Sequence, residues 1–291
     1  MTALAETRTA DHALETPSGK GRGDENFPVG SFLIRKDLRP HVHAFYRFAR
    51  NADDIADNPL LSADDKVRRL DRMGEILDGI SRGAAGDDSP AAEAMRASLA
   101  QTGTTAQHCH DVLRAFRLDA TKLRYRDWED LMEYCRYSAS PVGRQLLDLH
   151  GESRDTWPAS DALCSALQVL NHLQDCADDY RALDRVYLPL DLMGEAGIVV
   201  EDLIAPAAKP GLRRVIDHLL DDTDRLIDTA SRLPGGVKAR GLRWESATIV
   251  ELARRLSRRL RHGDPLATRV ALSKGDFAAA LMTGVFRGRR R

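Results

Sequence analysis

The chain has 291 residues, with 43 Lys and Arg against 44 Asp and Glu and a formal net charge of -1. At 43% apolar residues it is too hydrophobic for a disordered polymer. A charge balance this near neutrality excludes the strongly basic surface expected of a nucleic-acid binder. No run of about 18 apolar residues is present to cross a bilayer, and no apolar stretch follows a basic start, so neither a membrane helix nor a secretory leader is expected. Cys109, Cys135, Cys164 and Cys176 form no CxxC pair, and a reducing, cytoplasmic setting is expected.

Residues 1–23 are short of large apolar side chains and read as a mobile tail. From Phe27 to about Phe286 apolar residues recur at spacings of three and four, and no alternating strand pattern stands out. Breakers fall at Gly83 to Pro90, Gly151 to Pro158, Pro189 to Gly197, Pro206 to Gly211, Pro234 to Gly236 and Gly263 to Pro265. They predict roughly seven to nine helices in one all-α domain, residues 24–286, with a basic tail at 287–291. The first breaker is short and reads as a surface loop within that domain. The arginines of the tail predict either a solvated end or a weak peripheral contact with anionic lipid. His108-Cys109-His110 looks like a metal motif, but helical neighbours about 100° apart do not converge on one zinc ion.

Two segments carry the chemistry. The first runs from His43 to Asp57. On a helix, Tyr46, Arg50, Asp53 and Asp57 share a polar stripe about 60° wide, while Phe45, Phe48, Ala49, Ala52, Ile55 and Ala56 form a separate apolar one. The second runs from Leu167 to Asp179. Gln168, Asn171, Asp175 and Asp179 share one stripe, and Val169, Leu170, Leu173, Cys176 and Ala177 another. Asp54 and Asp178 fall on the flanks.

Like charges one turn apart destabilise an isolated helix by a few tenths of a kcal/mol, so something must favour them. A hard divalent cation does, through carboxylate oxygens. Two such stripes facing each other suit a diphosphate: Mg2+ keeps coordination positions open for phosphate oxygens and neutralises a departing diphosphate. Arg50 can add charge-assisted hydrogen bonds. A di-iron site would require Glu-x-x-His pairs, and neither segment contains Glu.

At these residues the sequence resembles the squalene/phytoene synthase family. Asp53-Asp-Ile-Ala-Asp57 matches the family's first aspartate motif, with Tyr46 and Arg50 at the expected offsets. Gln168, Asn171, Asp175 and Asp179 match the second, followed by Arg185-Val-Tyr187-Leu-Pro189. Tyr134-Cys-Arg-Tyr137-Ser-Ala139-Ser-Pro-Val142-Gly143 matches a middle motif, and the resemblance covers about residues 24–285. Glu25-Asn26-Phe27-Pro28-Val29, Lys122 to Trp128, and the Arg144 and Arg185 to Asp191 segments resemble the hopanoid-cluster branch. Three features depart from the wider pattern. Asp24 and Asn26 replace a Ser-x-Ser, Gln174 stands where many members have Arg, and the spacing from Asp179 to Tyr187 is one residue longer.

The resemblance implies an isoprenoid synthase fold, helices surrounding a central cavity. It implies three Mg2+ ions on Asp53, Asp57, Asn171, Asp175 and Asp179. Tyr46, Arg50, Arg185, Tyr187 and Asn26 are the implied diphosphate-binding residues, and Tyr134, Tyr137 and Gln168 the implied catalytic ones. Tyr134, Tyr137 and Gln168 also suit plain packing or helix–helix roles. The implied reaction ionises presqualene diphosphate and quenches the rearranged cation with water, giving hydroxysqualene. No G-x-G-x-x-G fingerprint is present, and no nicotinamide cofactor is expected. Implied pathway partners are a presqualene diphosphate synthase and a flavin-dependent hydroxysqualene reductase. Two alternatives stay open: condensation of two prenyl diphosphates to presqualene diphosphate, squalene, dehydrosqualene or phytoene, or a non-catalytic assembly or binding protein on the same fold.

Overall fold

Helical periodicity and capping chemistry account for nearly all of the architecture. The computed structural model describes residues 14–15, 33–80 and 88–288, the side chains of 285–288 excepted. Among these residues twelve α-helices follow one another: α1 (Arg39–Asp57), α2 (Ala63–Leu77), α3 (Pro90–Thr102), α4 (Gln107–Thr121), α5 (Trp128–Ser138), α6 (Ser140–Leu149), α7 (Trp157–Leu183), α8 (Leu190–Glu195), α9 (Pro210–Ala230), α10 (Leu233–Gly236), α11 (Arg240–His262) and α12 (Lys274–Gly288). No strand occurs among them. One isolated bridge joins Arg124 to Val186.

The count exceeds the expected seven to nine for identifiable reasons. Several prolines read as breaks stand in the first turn of a helix, where the missing N–H costs nothing. Ala139 interrupts what reads as one helix into α5 and α6. The short α8 and α10 lie inside breaker clusters. Local caps set the ends. Ser62 accepts the Asp65 amide at 3.1 Å, Asp127 accepts that of Asp130 at 2.8 Å, and Gly103 closes α3 at φ 68°.

Two hydrophobic cores result. The smaller joins α1 to α4 around Phe48, Ile55, Leu70, Met73, Met95 and Leu113. The larger surrounds α7 with α5, α6, α9 and α11, and holds Leu131, Leu170, Leu173 and Leu219. Each such side chain contributes about 1.5–3 kcal/mol by leaving water. The apolar stripe of α1 enters the first core and that of α7 the second, as the sequence pattern predicts. Gly143 lets α6 and α7 approach closely: a Cβ there would lie 2.7 Å from Cys164 Sγ and nearer still to Ser160 Oγ.

Within the stretch expected to be a mobile tail, Leu14 is buried in the smaller core. Glu15 accepts hydrogen bonds from Ser89 Oγ at 2.6 Å and Ala91 N at 2.9 Å. The rest of residues 1–23 lies outside the described residues. At the other end α12 continues to Gly288, two residues into the expected basic tail, of which 289–291 lie outside. The histidines flanking Cys109 diverge, His108 to Asp148 and His110 to Asp78, each at 2.9 Å. None of the four cysteines is in a disulfide. No described helix is long and apolar enough to cross a membrane.

Candidate active site

On α1 the helical repeat stacks Arg50 against the two carboxylates that follow it. Its guanidinium lies 3.0 Å from Asp53 and 2.7 Å from Asp54. Burial and the neighbouring charge of Asp57 push the Asp53 carboxyl well above its ordinary pKa, against the opposing pull of Arg50. Asp57, one turn on, meets Arg185 at 2.5 Å.

Arg185 reaches α1 because of a turn. Asp184 ends α7 at φ 53°, a left-handed conformation that Asp tolerates, and Arg124 holds the turn through the Asp184 carboxylate at 2.5 Å and its carbonyl. The chain then runs beside residues 123–126, with Val186 N donating to Leu123 O at 2.9 Å and Leu190 N to Tyr125 O at 3.0 Å. Arg185 and Tyr187 are both turned inward despite the longer spacing from Asp179. Arg185 also donates to the carbonyls of Ala56 and Asp119, both at 3.0 Å.

Asp119, at the end of α4, is 4% exposed and accepts the hydroxyls of Tyr134 and Tyr187, each at 2.9 Å. Burial raises its pKa to about 6, opposed by Arg185 and the two hydroxyls. Tyr125, Tyr134, Tyr187 and His172 form an aromatic group beneath it. Tyr187 stacks on His172 with centroids 3.5 Å apart and on Tyr125 at 5.3 Å.

On α7, His172 bonds Gln168 at 3.0 Å and lies 3.9 Å from Asp179. Burial raises the Asp175 pKa, Arg269 opposes it from 3.9 Å, and Asp179 adds to it. Gln174, on the buried face, donates to Val270 O at 2.5 Å and so anchors the segment that carries Arg269.

Between the two helices opens a cavity of about 360 Å3, within the range of small-molecule sites. Tyr46 and Ala49 of α1 and Gln168 and Asn171 of α7 line it at the acidic end. Leu146, Leu163, Leu167, Leu242 and Ile249 make its walls apolar, with Glu245 among them. Such a space fits a hydrocarbon chain, and Ala49 and Asn171 in its wall stand one turn before Asp53 and Asp175. The acidic donors are all oxygen, and Asp53 and Asp175 each suffer from burial and a like charge, so both sets fit a hard divalent cation. Among the described residues no three carboxylates, imidazoles or thiols form a closed cage. Mg2+ suits that openness, since it keeps waters and phosphate oxygens as ligands.

A family model described as squalene/phytoene synthase matches residues 20–276. The chain belongs to the squalene/phytoene synthase family. It is 46% identical to a hydroxysqualene synthase of Rhodopseudomonas palustris, covering 92% of this chain and 90% of the relative. It is 44% identical to a hydroxysqualene synthase of Zymomonas mobilis, over 93% and 90%. Among solved structures it resembles squalene synthase HpnC of Alicyclobacillus acidocaldarius, with TM-score 0.65, 31% identity, and coverage of 88% of this chain and 94% of that one. A dehydrosqualene synthase at 20% identity superposes with TM-score 0.73 over 91% and 92%, which places the all-α isoprenoid synthase fold.

In this squalene/phytoene synthase family member the predicted residues fall into three groups. Arg50 and Asp53 pair on α1, Asp57, Arg185 and Tyr187 are joined directly or through Asp119, and Tyr46, Gln168 and Asn171 line the adjoining cavity on the helices that carry the aspartates. Tyr134 is buried against Asp119 rather than in the cavity wall. Tyr137 stands apart, its ring 3.8 Å beneath the Arg114 guanidinium, and Asn26 lies outside the described residues. Sequence reading missed Asp119, His172 and Arg269. Asp119 carried a signal, an acid four residues after Ala115 on the buried face of α4. So did His172, one turn from Gln168. Nothing in local spacing marks Arg269.

Proposed function

We propose that this protein converts presqualene diphosphate and water to hydroxysqualene and diphosphate. The observation that carries the reading is a largely apolar cavity lined by Ala49 of α1 and Asn171 of α7, each one turn before an aspartate of its own helix, with the α1 set tied to Arg185. Two relatives named hydroxysqualene synthase, each matching more than nine-tenths of the chain, support the choice of reaction.

Asp53, Asp57, Asn171, Asp175 and Asp179 would hold Mg2+, three ions in the arrangement the family resemblance implies. Bound Mg2+ supplies the positive charge that makes diphosphate a good leaving group. Arg185 fixes Asp57, and Arg50 fixes Asp53, so the α1 carboxylates are oriented before substrate arrives. Arg269, beside Asp175, is placed to donate to phosphate. Tyr187 gives its hydroxyl to Asp119 and so acts on the diphosphate indirectly, by positioning. Tyr134 gives its hydroxyl to the same carboxylate and likewise acts by positioning. The apolar wall excludes bulk water while the cation rearranges. In this reading the chain works without a nicotinamide cofactor. It stands between a presqualene diphosphate synthase and a flavin-dependent hydroxysqualene reductase of hopanoid formation, in the cytoplasm with peripheral contact at the inner membrane face.

The test supplies the pure protein and Mg2+ with presqualene diphosphate or farnesyl diphosphate and identifies products by mass spectrometry. Hydroxysqualene from the first alone supports the proposal. Condensed product from farnesyl diphosphate moves the chain to the condensing step. No turnover, together with no calorimetric binding of Mg2+ and a diphosphate analogue, makes it a non-catalytic protein on this fold.

A further inference from the structure

The cavity wall carries polar groups that ionisation does not use. Gln145, on α6, lines the cavity and is 1% exposed. Neither its amide oxygen nor its amide nitrogen meets a hydrogen-bond partner among the described residues. Ser138, the last residue of α5, lines the same cavity, and its Oγ is buried and equally without a partner among them. Ser138 lies one helical turn beyond Tyr134, a member of the aromatic group beside Asp119.

A buried amide with both ends unsatisfied is unfavourable against a hydrocarbon surface, and native interiors rarely tolerate one. A prenyl chain in this cavity offers neither donor nor acceptor. Water offers both: a buried water makes about three hydrogen bonds to polar groups that otherwise lack partners. Gln145 Oε1, Gln145 Nε2 and Ser138 Oγ are polar groups of that kind, on two residues that line the same largely apolar cavity.

We propose, resting on the hydroxysqualene reading, that Gln145 and Ser138 hold the water molecule that ends the reaction. The bond from carbon to diphosphate has then already broken, its electron pair leaving with the diphosphate. The held water gives one lone pair to the rearranged carbocation, forming the new C–O bond. The proton shed by the resulting oxonium passes to the released diphosphate, so neither oxidant nor reductant is required. A neutral amide suits the task. It orients the water by accepting and donating, and it is too weak a base to strip a proton from the carbon beside the cation, which would give a hydrocarbon.

The experiment compares wild-type protein with Gln145→Leu, close in size and apolar, and with Ser138→Ala. Each is incubated with presqualene diphosphate and Mg2+ in oxygen-18 water. Diphosphate release is followed, and the ratio of alcohol to hydrocarbon is read by mass spectrometry. Wild type gives alcohol carrying one oxygen-18. In Gln145→Leu diphosphate release persists while the alcohol-to-hydrocarbon ratio falls at least about tenfold, as expected when a positioned reactant is lost, and in Ser138→Ala it falls about threefold. An unchanged ratio in both variants overturns the proposal. Abolished diphosphate release in a Gln145→Leu protein with wild-type circular dichroism and melting temperature overturns it as well. A wild-type protein that gives no alcohol removes the hydroxysqualene reading beneath it, an outcome distinct from either.

Discussion

On α1 every carboxylate of the acidic motif meets a guanidinium: Asp53 and Asp54 meet Arg50 at 3.0 and 2.7 Å, and Asp57 meets Arg185 at 2.5 Å. On α7 the Arg269 guanidinium lies 3.9 Å from Asp175, and the His172 ring lies 3.9 Å from Asp179. Burial does not explain the contrast, because the side chains of Asp57 and Asp175 are 33% and 34% exposed. The same carboxylate spacing therefore serves two conditions. The α1 set is compensated by the protein itself and held in place. In the proposed function the α7 set depends on a cation that arrives with the substrate, and Gln174 steadies the loop that brings Arg269 beside it.

The largest effects fall on activity. Asp175→Ala is expected to lower the rate of diphosphate release by about a thousandfold or more with no loss of melting temperature, since it removes a charge needed only when metal and diphosphate are bound. Asp57→Ala should be as inactive but also less stable, because it strips the partner from a guanidinium that is 5% exposed. Steady-state release and thermal unfolding, run on both variants, separate the two. Equal melting temperatures would break the contrast between the helices.

The cations extend the comparison. Arg185→Ala should cost about 2–3 kcal/mol of stability, given the two carbonyls and the carboxylate it holds. Arg269→Ala should leave stability within about 0.5 kcal/mol of wild type, as a long, exposed pair does. Its effect should appear as a raised KM for the diphosphate substrate.

Two pH dependences follow. Burial and like charge raise the pKa of Asp53 and Asp175, so protons compete with metal at both sets. Calorimetric Mg2+ affinity in the presence of a diphosphate analogue should therefore rise from pH 6 to pH 8. Asp119 has its folded pKa raised to about 6, above the unfolded value near 4. Its stabilising contribution is thus full below about pH 4 and is lost as pH rises through about 6. Relative to Asp119→Asn, the wild-type melting temperature should fall across that window, and a constant difference would contradict the assignment.

The smallest effects belong to the flanking aspartates. The side chain of Asp54 is 6% exposed and pairs with Arg50, whereas that of Asp178 is 81% exposed. Asp54→Ala should cost about 1–3 kcal/mol, and Asp178→Ala should stay within about 0.5 kcal/mol and within twofold in activity.

Both acidic stripes were legible in the sequence because helical periodicity alone separates polar from apolar faces on α1 and α7. The buried positions Phe48, Ile55, Leu170 and Leu173 follow that pattern. Periodicity is blind to what lies across a fold. It placed Asp54 on the flank without showing that Arg50 would turn to it. It gave Tyr137 the same standing as Tyr134, although three residues of rotation send one ring under Arg114 and the other to Asp119. Arg269 comes to Asp175 from a loop some 94 positions away in the chain. That approach depends on the bond from Gln174 to Val270, which no local pattern encodes.

The most direct test of one site built from two unequal halves is to locate the metal. Crystals of the protein grown with Mn2+ and a non-reactive diphosphate analogue would be measured for anomalous scattering. The account predicts metal peaks within coordination distance of Asp53 or Asp57 and of Asn171, Asp175 or Asp179, sharing the oxygens of one diphosphate. Metal confined to one helix, or a diphosphate bound away from Arg185 and Arg269, would contradict it.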